Sequence, residues 1–265
     1  MKRREFLAAS LAASASGLAP QLNAQTTAEE KTGAPRQFYQ LRRYLLQSGP
    51  QQGVLETYLA DALIPAVTRR GMGPVGAFRV VFGPETPAIY VLIPANSAQQ
   101  AATLELELGK DEEYRKRGEP FLAAPASSPA FVRMETELLA AFEGWPRLTP
   151  PDLHGKRIFQ LRTYESPSIR DHIAKVRMFN SGEFDIFQKA GCRPVFFSDR
   201  LMGSRMPSLT YMLCFEDQAA LERGWNAFSS APEWKKLQAD PQFAFEPIVS
   251  NITNLVLSPL SCSQI

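Results

Sequence analysis

The segment Phe38-Tyr39-Gln40-Leu41-Arg42-Arg43-Tyr44 returns 120 residues later as Ile158-Phe159-Gln160-Leu161-Arg162-Thr163-Tyr164, with four identities in seven. Such a repeat constrains the fold strongly, because both copies must be able to fold into the same unit. After the first copy, apolar residues recur at Val54, Leu55, Tyr58, Leu59, Ala62, Leu63, Ala66 and Val67 and stop at Arg70-Gly71, the pattern of an amphipathic helix ended by glycine. Two β-rich runs follow, Val75 to Phe82 and Ala88 to Ile93, joined by the turn Gly83-Pro84-Glu85-Thr86-Pro87. A charged helical stretch from Ala98 to Phe121 and a strand at about Phe131 to Ala141 complete the unit. The second copy predicts a helix near Ile169 to Ala190, strands Pro194 to Leu201 and Leu209 to Phe215, helices from Gln218 to Ala239 and a strand Ile248 to Leu257. Glu113-Tyr114-Arg115 and Glu233-Trp234-Lys235 keep the same offset.

Each copy therefore reads β-α-β-β-α-β, the ferredoxin-like split βαβ unit, and the fold class is α+β. Such a unit covers one sheet face with helices and leaves the other open. Two units in one chain bury their open faces most economically against each other, as a pseudo-dimeric α/β barrel. The units span residues 36–145 and 157–260, joined by a proline-rich linker at 146–156. Either a pseudo-dimeric monomer or a homo-oligomer satisfies this pattern.

The N-terminus carries a different signal. Met1-Lys2-Arg3-Arg4-Glu5-Phe6-Leu7 precedes a mildly apolar run, Ala8 to Ala19, and then Pro20 and Leu22-Asn23-Ala24. That run is too short and too weakly apolar to span a bilayer of ~30 Å, and the order of regions is that of a cleaved signal peptide, residues 1–24. Arg3-Arg4-Glu5-Phe6-Leu7 resembles the twin-arginine export signal, which implies a periplasmic protein carried across already folded. Residues 25–35 read as a disordered linker. The whole chain has 29 Lys and Arg against 27 Asp and Glu. Loss of Lys2, Arg3, Arg4 and Glu5 would leave 26 of each, so the mature chain has no electrostatic attraction for nucleic acid or anionic lipid.

The doubled opening strand, Glu233-Trp234-Lys235-Lys236 after an alanine-rich helix, and the ending Leu255-Val256-Leu257-Ser258-Pro259-Leu260 resemble the NIPSNAP family over about Gln37 to Leu260. The resemblance implies tandem dimeric α/β-barrel domains and brings no agreed catalytic motif with it.

Strand alternation supplies the candidate site. Tyr39 and Leu41, like Phe159 and Leu161, are the better choice to lie under the helices. Gln40, Arg42 and Tyr44, with Gln160, Arg162 and Tyr164, then point into the space between the sheets. Glu135 or Glu137 is placed to reach Arg42, and Asn251 or Asn254 to reach Arg162. Arg with Tyr and Gln suits a small organic acid, held through the guanidinium fork, and equally suits structural ion pairs. A Glu on Arg42 neutralises it, whereas an Asn beside Arg162 leaves its charge available.

His172, at the start of a helix in Arg170-Asp171-His172-Ile173, is a candidate base or haem ligand, since some proteins of the resembled fold bind haem through one histidine. His154 lies in the linker. Cys192 and Cys214 are close enough in a hairpin for a disulfide in an oxidising compartment, and Cys262 is a tail thiol. Phe179, Phe184, Phe187, Phe196, Phe197, Tyr211, Phe215, Trp225 and Phe228 read as core, with a hydrophobic pocket as the other use. No metal site, phosphate loop or nucleophile elbow can be drawn, and no cofactor is expected. Two functions remain: a periplasmic module binding a small organic acid or a protein partner, or a cofactor-independent or haem-dependent enzyme of the monooxygenase type.

Overall fold

The repeated motif forms strands β1 (Phe38–Leu45) and β5 (Ile158–Glu165) in a computed structural model that describes residues 35–152, 155–243 and 245–265. The export signal at 1–24, most of the 25–35 linker and His154 lie outside the described residues. After β1 come α1 (Pro50–Tyr58), a π-helical segment (Leu59–Leu63), α2 (Ile64–Thr68), β2 (Gly76–Phe82) and β3 (Ala88–Ala95). The expected helix over 98–121 is divided into α3 (Ala98–Ala102), α4 (Leu104–Leu108), α5 (Glu112–Arg117) and α6 (Glu119–Leu122), before β4 (Arg133–Ala141). β5 is followed by α7 (Ile169–Met178), a second π-helical segment (Phe179–Glu183), α8 (Phe184–Lys189), β6 (Arg193–Met202) and β7 (Ser208–Phe215). The last elements are α9 (Gln218–Ser230), α10 (Pro232–Gln238), α11 (Phe245–Ile248) and β8 (Asn251–Pro259).

Local chemistry sets the helix starts. Ser97 and Asp217, one repeat apart, each accept a hydrogen bond from a backbone N–H of the first turn of α3 and α9. Ser168 does the same for α7 and Asp111 for α5. Each cap satisfies an otherwise orphaned donor and stabilises its helix by about 0.5–2 kcal/mol.

All eight strands join one closed antiparallel barrel in the order β1-β3-β2-β8-β5-β7-β6-β4. Each copy supplies four neighbouring strands, and the copies meet at two seams. At one, β2 pairs with β8 (Phe78 opposite Pro259); at the other, β4 pairs with β6 (Ala140 opposite Asp199). The helices of each copy lie against the outside of its own strands.

The two faces of β1 and β5 are assigned opposite to the sequence expectation. Tyr39, Leu41, Phe159 and Leu161 pack inside the barrel with Phe78, Phe196, Met212 and Leu257. Gln40, Arg42, Tyr44, Gln160, Arg162 and Tyr164 point outward, beneath the helices. Alternation separates the two faces correctly, but both are buried, and pattern alone does not say which is inside. The interior of an eight-stranded barrel is just wide enough to be filled by side chains, so apolar residues belong there. The helix layer, with its own polar side chains and free carbonyls, can satisfy arginine and glutamine.

The outer layers differ in composition. Around the first copy they hold Leu59, Ile64, Val67, Ala77, Val91 and Leu108. The equivalent second-copy positions are Phe179, Phe184, Phe187, Phe197, Tyr211 and Phe228.

Cys192 and Cys214, close enough in the hairpin to have been disulfide candidates, are both free and buried. Cys214 packs in the barrel interior and Cys192 in the outer layer, so the strand separates them onto opposite faces. Burial pushes both thiols up to about 12. Ellman's reagent is expected to modify half-buried Cys262 in the native protein well before Cys192 or Cys214; three equal rates would show that the packing described for Cys192 and Cys214 is wrong.

Candidate functional site

In the first copy the outward trio is closed off by charge. Gln40 Nε2 donates to the Ala101 carbonyl (3.1 Å), Arg42 Nε donates to Gln40 Oε1 (2.6 Å), and Arg42 Nη1 donates to the Tyr44 hydroxyl (3.3 Å). Arg42 Nη2 meets Glu105 of α4 at 2.5 Å. The neutralising partner therefore comes from a helix. Neither expected carboxylate reaches Arg42: Glu135 pairs with Arg43 at 2.5 Å and Glu137 with Arg200 at 2.8 Å, both on the inward face.

The second trio is built differently. Position 225, equivalent to Glu105, is tryptophan, and the Arg162 guanidinium lies 4.2 Å from the Trp225 ring and 5.3 Å from that of Tyr164. Trp225 Nε1 donates to Gln160 Oε1 (2.6 Å) and Gln160 Nε2 donates to Asn254 Oδ1 (2.9 Å). Asn254 is also the register partner of Arg162, whereas Asn251 donates instead to Glu165 (2.8 Å). The hydroxyls of Tyr164 and Tyr211 are 2.8 Å apart. Among the described residues no carboxylate pairs with Arg162, and its buried Nε has no hydrogen-bond partner. The guanidinium is half-buried on an aromatic platform, with its charge available.

Next to it lies a feature the sequence reading missed. Lys175 Nζ contacts Glu183 Oε2 at 2.8 Å, with the two side chains 0% and 1% exposed. Burial is the largest influence on both, lowering the lysine's pKa and raising the glutamate's, against their mutual attraction. The equivalent first-copy positions are Leu55 and Leu63, both fully buried. The fold therefore does not need a charged pair here. Position-by-position comparison of the repeats is the signal that would have revealed it.

His172, the candidate base or haem ligand, is buried. Its Nε2 sits 2.7 Å from Asp199 Oδ1, and its Nδ1 is buried without a partner. Neither nitrogen is open to an outside ligand. This arrangement does not fit haem ligation. Among the described residues no cluster of His, Cys, Asp or Glu is placed to hold a metal ion.

The barrel interior opens at one end into a cavity of about 60 Å³. Its floor is Leu41, Leu161 and Leu255, and its polar wall includes Arg43, Tyr90, Glu137, Arg200 and Arg205. A binding space inside the barrel thus exists, but it is lined by the residues alternate to those the sequence reading selected.

Residues 159–264 match the NIPSNAP family model. No curated protein matches the chain in sequence. Among solved structures, a candidate monooxygenase from Fusobacterium nucleatum is similar with a TM-score of 0.57 and 6% identity, over 85% of this chain and 93% of that one. A second candidate monooxygenase, from Lactobacillus acidophilus, gives a TM-score of 0.56 and 6% identity, over 84% and 94%. A NIPSNAP-like domain protein of uncharacterised function from Burkholderia xenovorans is 18% identical over 41% of this chain and 89% of its own, with a TM-score of 0.36. At 6% identity the two full-length likenesses establish a shared fold and carry no activity with them.

Proposed function

We propose that this chain is an exported, periplasmic binding module made of two NIPSNAP-type ferredoxin-like units, which takes a small organic acid on Arg162. The observation that carries the reading is the replacement of Glu105 by Trp225 one repeat later. The first copy cancels its arginine, and the second stacks it and leaves it uncancelled. A guanidinium held flat on an indole loses little freedom when it binds a carboxylate through its fork, and Gln160 and Asn254 stand beside it.

Thermal-shift measurements against a panel of aromatic acids, each too large for the cavity of about 60 Å³ at the barrel end, test this. An acid present at 100 times its dissociation constant stabilises by about 2.7 kcal/mol, worth about 5–10 °C in a chain of this size. The shift is expected in the wild type and lost in Arg162→Ala. The reading fails if no acid stabilises the wild type selectively, or if Arg162→Ala keeps the shift.

The second reading, an enzyme of the monooxygenase type, draws its support from the Lys175–Glu183 pair, a costly feature absent from the first copy. His172 offers haem no free ligand, because one ring nitrogen meets Asp199 and the other is buried.

A further inference from the structure

The mouth of the barrel is a heavily charged concave surface, and its charges are not evenly matched. Arg43 is shared by Glu85 and Glu135. Arg200, only 3% exposed, donates from Nη1 to the Ser204 carbonyl (2.6 Å) and from Nη2 to Thr210 Oγ1 (3.2 Å), and pairs with Glu137 (2.8 Å). Its Nε is buried and without a partner. Arg205 pairs with no carboxylate among the described residues, and its Nη1 donates to Thr253 Oγ1 (2.9 Å). Arg205 holds a φ of +62° in its hairpin turn, as Glu85 does at +57° in the equivalent turn one repeat earlier. Gly203 is also special: a Cβ there would lie 3.1 Å from Glu137 Cγ and 3.2 Å from Arg200 Cδ, so glycine lets the hairpin close over this pair.

We propose that the barrel mouth binds a two- or three-carbon monocarboxylate, with its carboxylate on Arg200 and Arg205 and its alkyl end on Leu41, Leu161 and Leu255. Size supports this class. A site needs about 10–15 Å³ to admit one water-sized group, so the cavity takes about four to six heavy atoms, as in acetate or propionate. A planar oxyanion uses the guanidinium fork better than a spherical ion does. The apolar floor opposite the arginines favours an acid with a short carbon chain over a bare inorganic anion.

Binding is coupled to a proton. Arg200 already holds Glu137, which also faces Arg43 and Arg205 from neighbouring strands and the hairpin, Glu135 on its own strand and the Tyr90 hydroxyl on β3. Burial holds the Glu137 carboxyl above its ordinary value. When Glu137 takes up a proton, Arg200 is released to the incoming carboxylate, so one proton enters with each anion. Affinity therefore rises as pH falls.

Calorimetric titration of the full chain with propionate tests the site. Binding is expected to tighten as the buffer is made more acidic. Arg205→Gly, which keeps the left-handed backbone, is expected to weaken it by about tenfold or more. Glu137→Gln is expected to tighten binding and flatten its pH dependence. The proposal is overturned if propionate does not bind, if propanamide or chloride binds as well, if Arg205→Gly is without effect, or if Glu137→Gln keeps the wild-type pH dependence.

Discussion

Lys175→Leu alone is expected to cost about 3–5 kcal/mol, whereas Lys175→Leu with Glu183→Leu is expected to be as stable as the wild type or more so. The single change strands Glu183 in a site with no exposure, and the protein must bear a buried carboxylate or protonate it. Burial already raises the Glu183 pKa, so protonation is the easier escape. The loss in Lys175→Leu is accordingly expected to shrink as pH falls toward the raised value. The double change copies a solution the molecule already uses, since Leu55 and Leu63 fill the same positions under the first copy's helices. Urea midpoints of the two single variants and the double variant decide the matter. A double variant no better than the worse single one would mean that the pair is tied into structure the first copy lacks. A stable double variant would leave function as the reason for keeping the pair.

The second large effect is expected at Phe197. Its ring centroid lies 4.7 Å from Phe184, 5.5 Å from each of Trp145, Phe179 and Tyr211, and 6.0 Å from Phe187. Truncating a buried phenylalanine to alanine costs about 3–5 kcal/mol when the neighbours cannot close the hole. Five rings that already brace one another have little freedom to close it. The first copy has Ala77 at this place, surrounded by aliphatic side chains that reach across. Phe197→Ala should lower the thermal midpoint by about 6–20 °C, at 2–4 °C per kcal/mol. A loss under about 1 kcal/mol would show that the aromatic layer collapses as freely as an aliphatic one.

Much of the fold was legible because the sequence states it twice. The repeat brought out the order of elements, and strand alternation correctly divided Gln40, Arg42 and Tyr44 from Tyr39 and Leu41. Which set faces inward depends on the closure of the barrel, and closure depends on pairing between strands far apart in sequence. The asymmetry between Arg42 and Arg162 was likewise readable, but through the wrong partners. A strand neighbour was expected to neutralise Arg42, and α4 supplies Glu105 instead. The Lys175–Glu183 pair escaped because eight residues of helical spacing, interrupted by a π-helical segment, obscure which side chains converge. The barrel-mouth arginines escaped for a simpler reason: Arg43, Arg200 and Arg205 come from separate strands and a turn, and only three-dimensional closure brings them together.

The two seams carry a consequence for how the molecule is made. β2 and β4 are finished early in synthesis, yet their outer partners are β8 and β6. Until the second copy emerges, the first presents two unpaired strand edges, the kind of surface on which chains adhere to one another. Closure couples residues as far apart as Phe78 and Pro259, so the loop cost is met late and assembly is expected to be slow compared with a helical protein of equal size. A half-made chain is therefore the vulnerable species, and a chaperone that shields those two edges would act where the finished barrel needs no help.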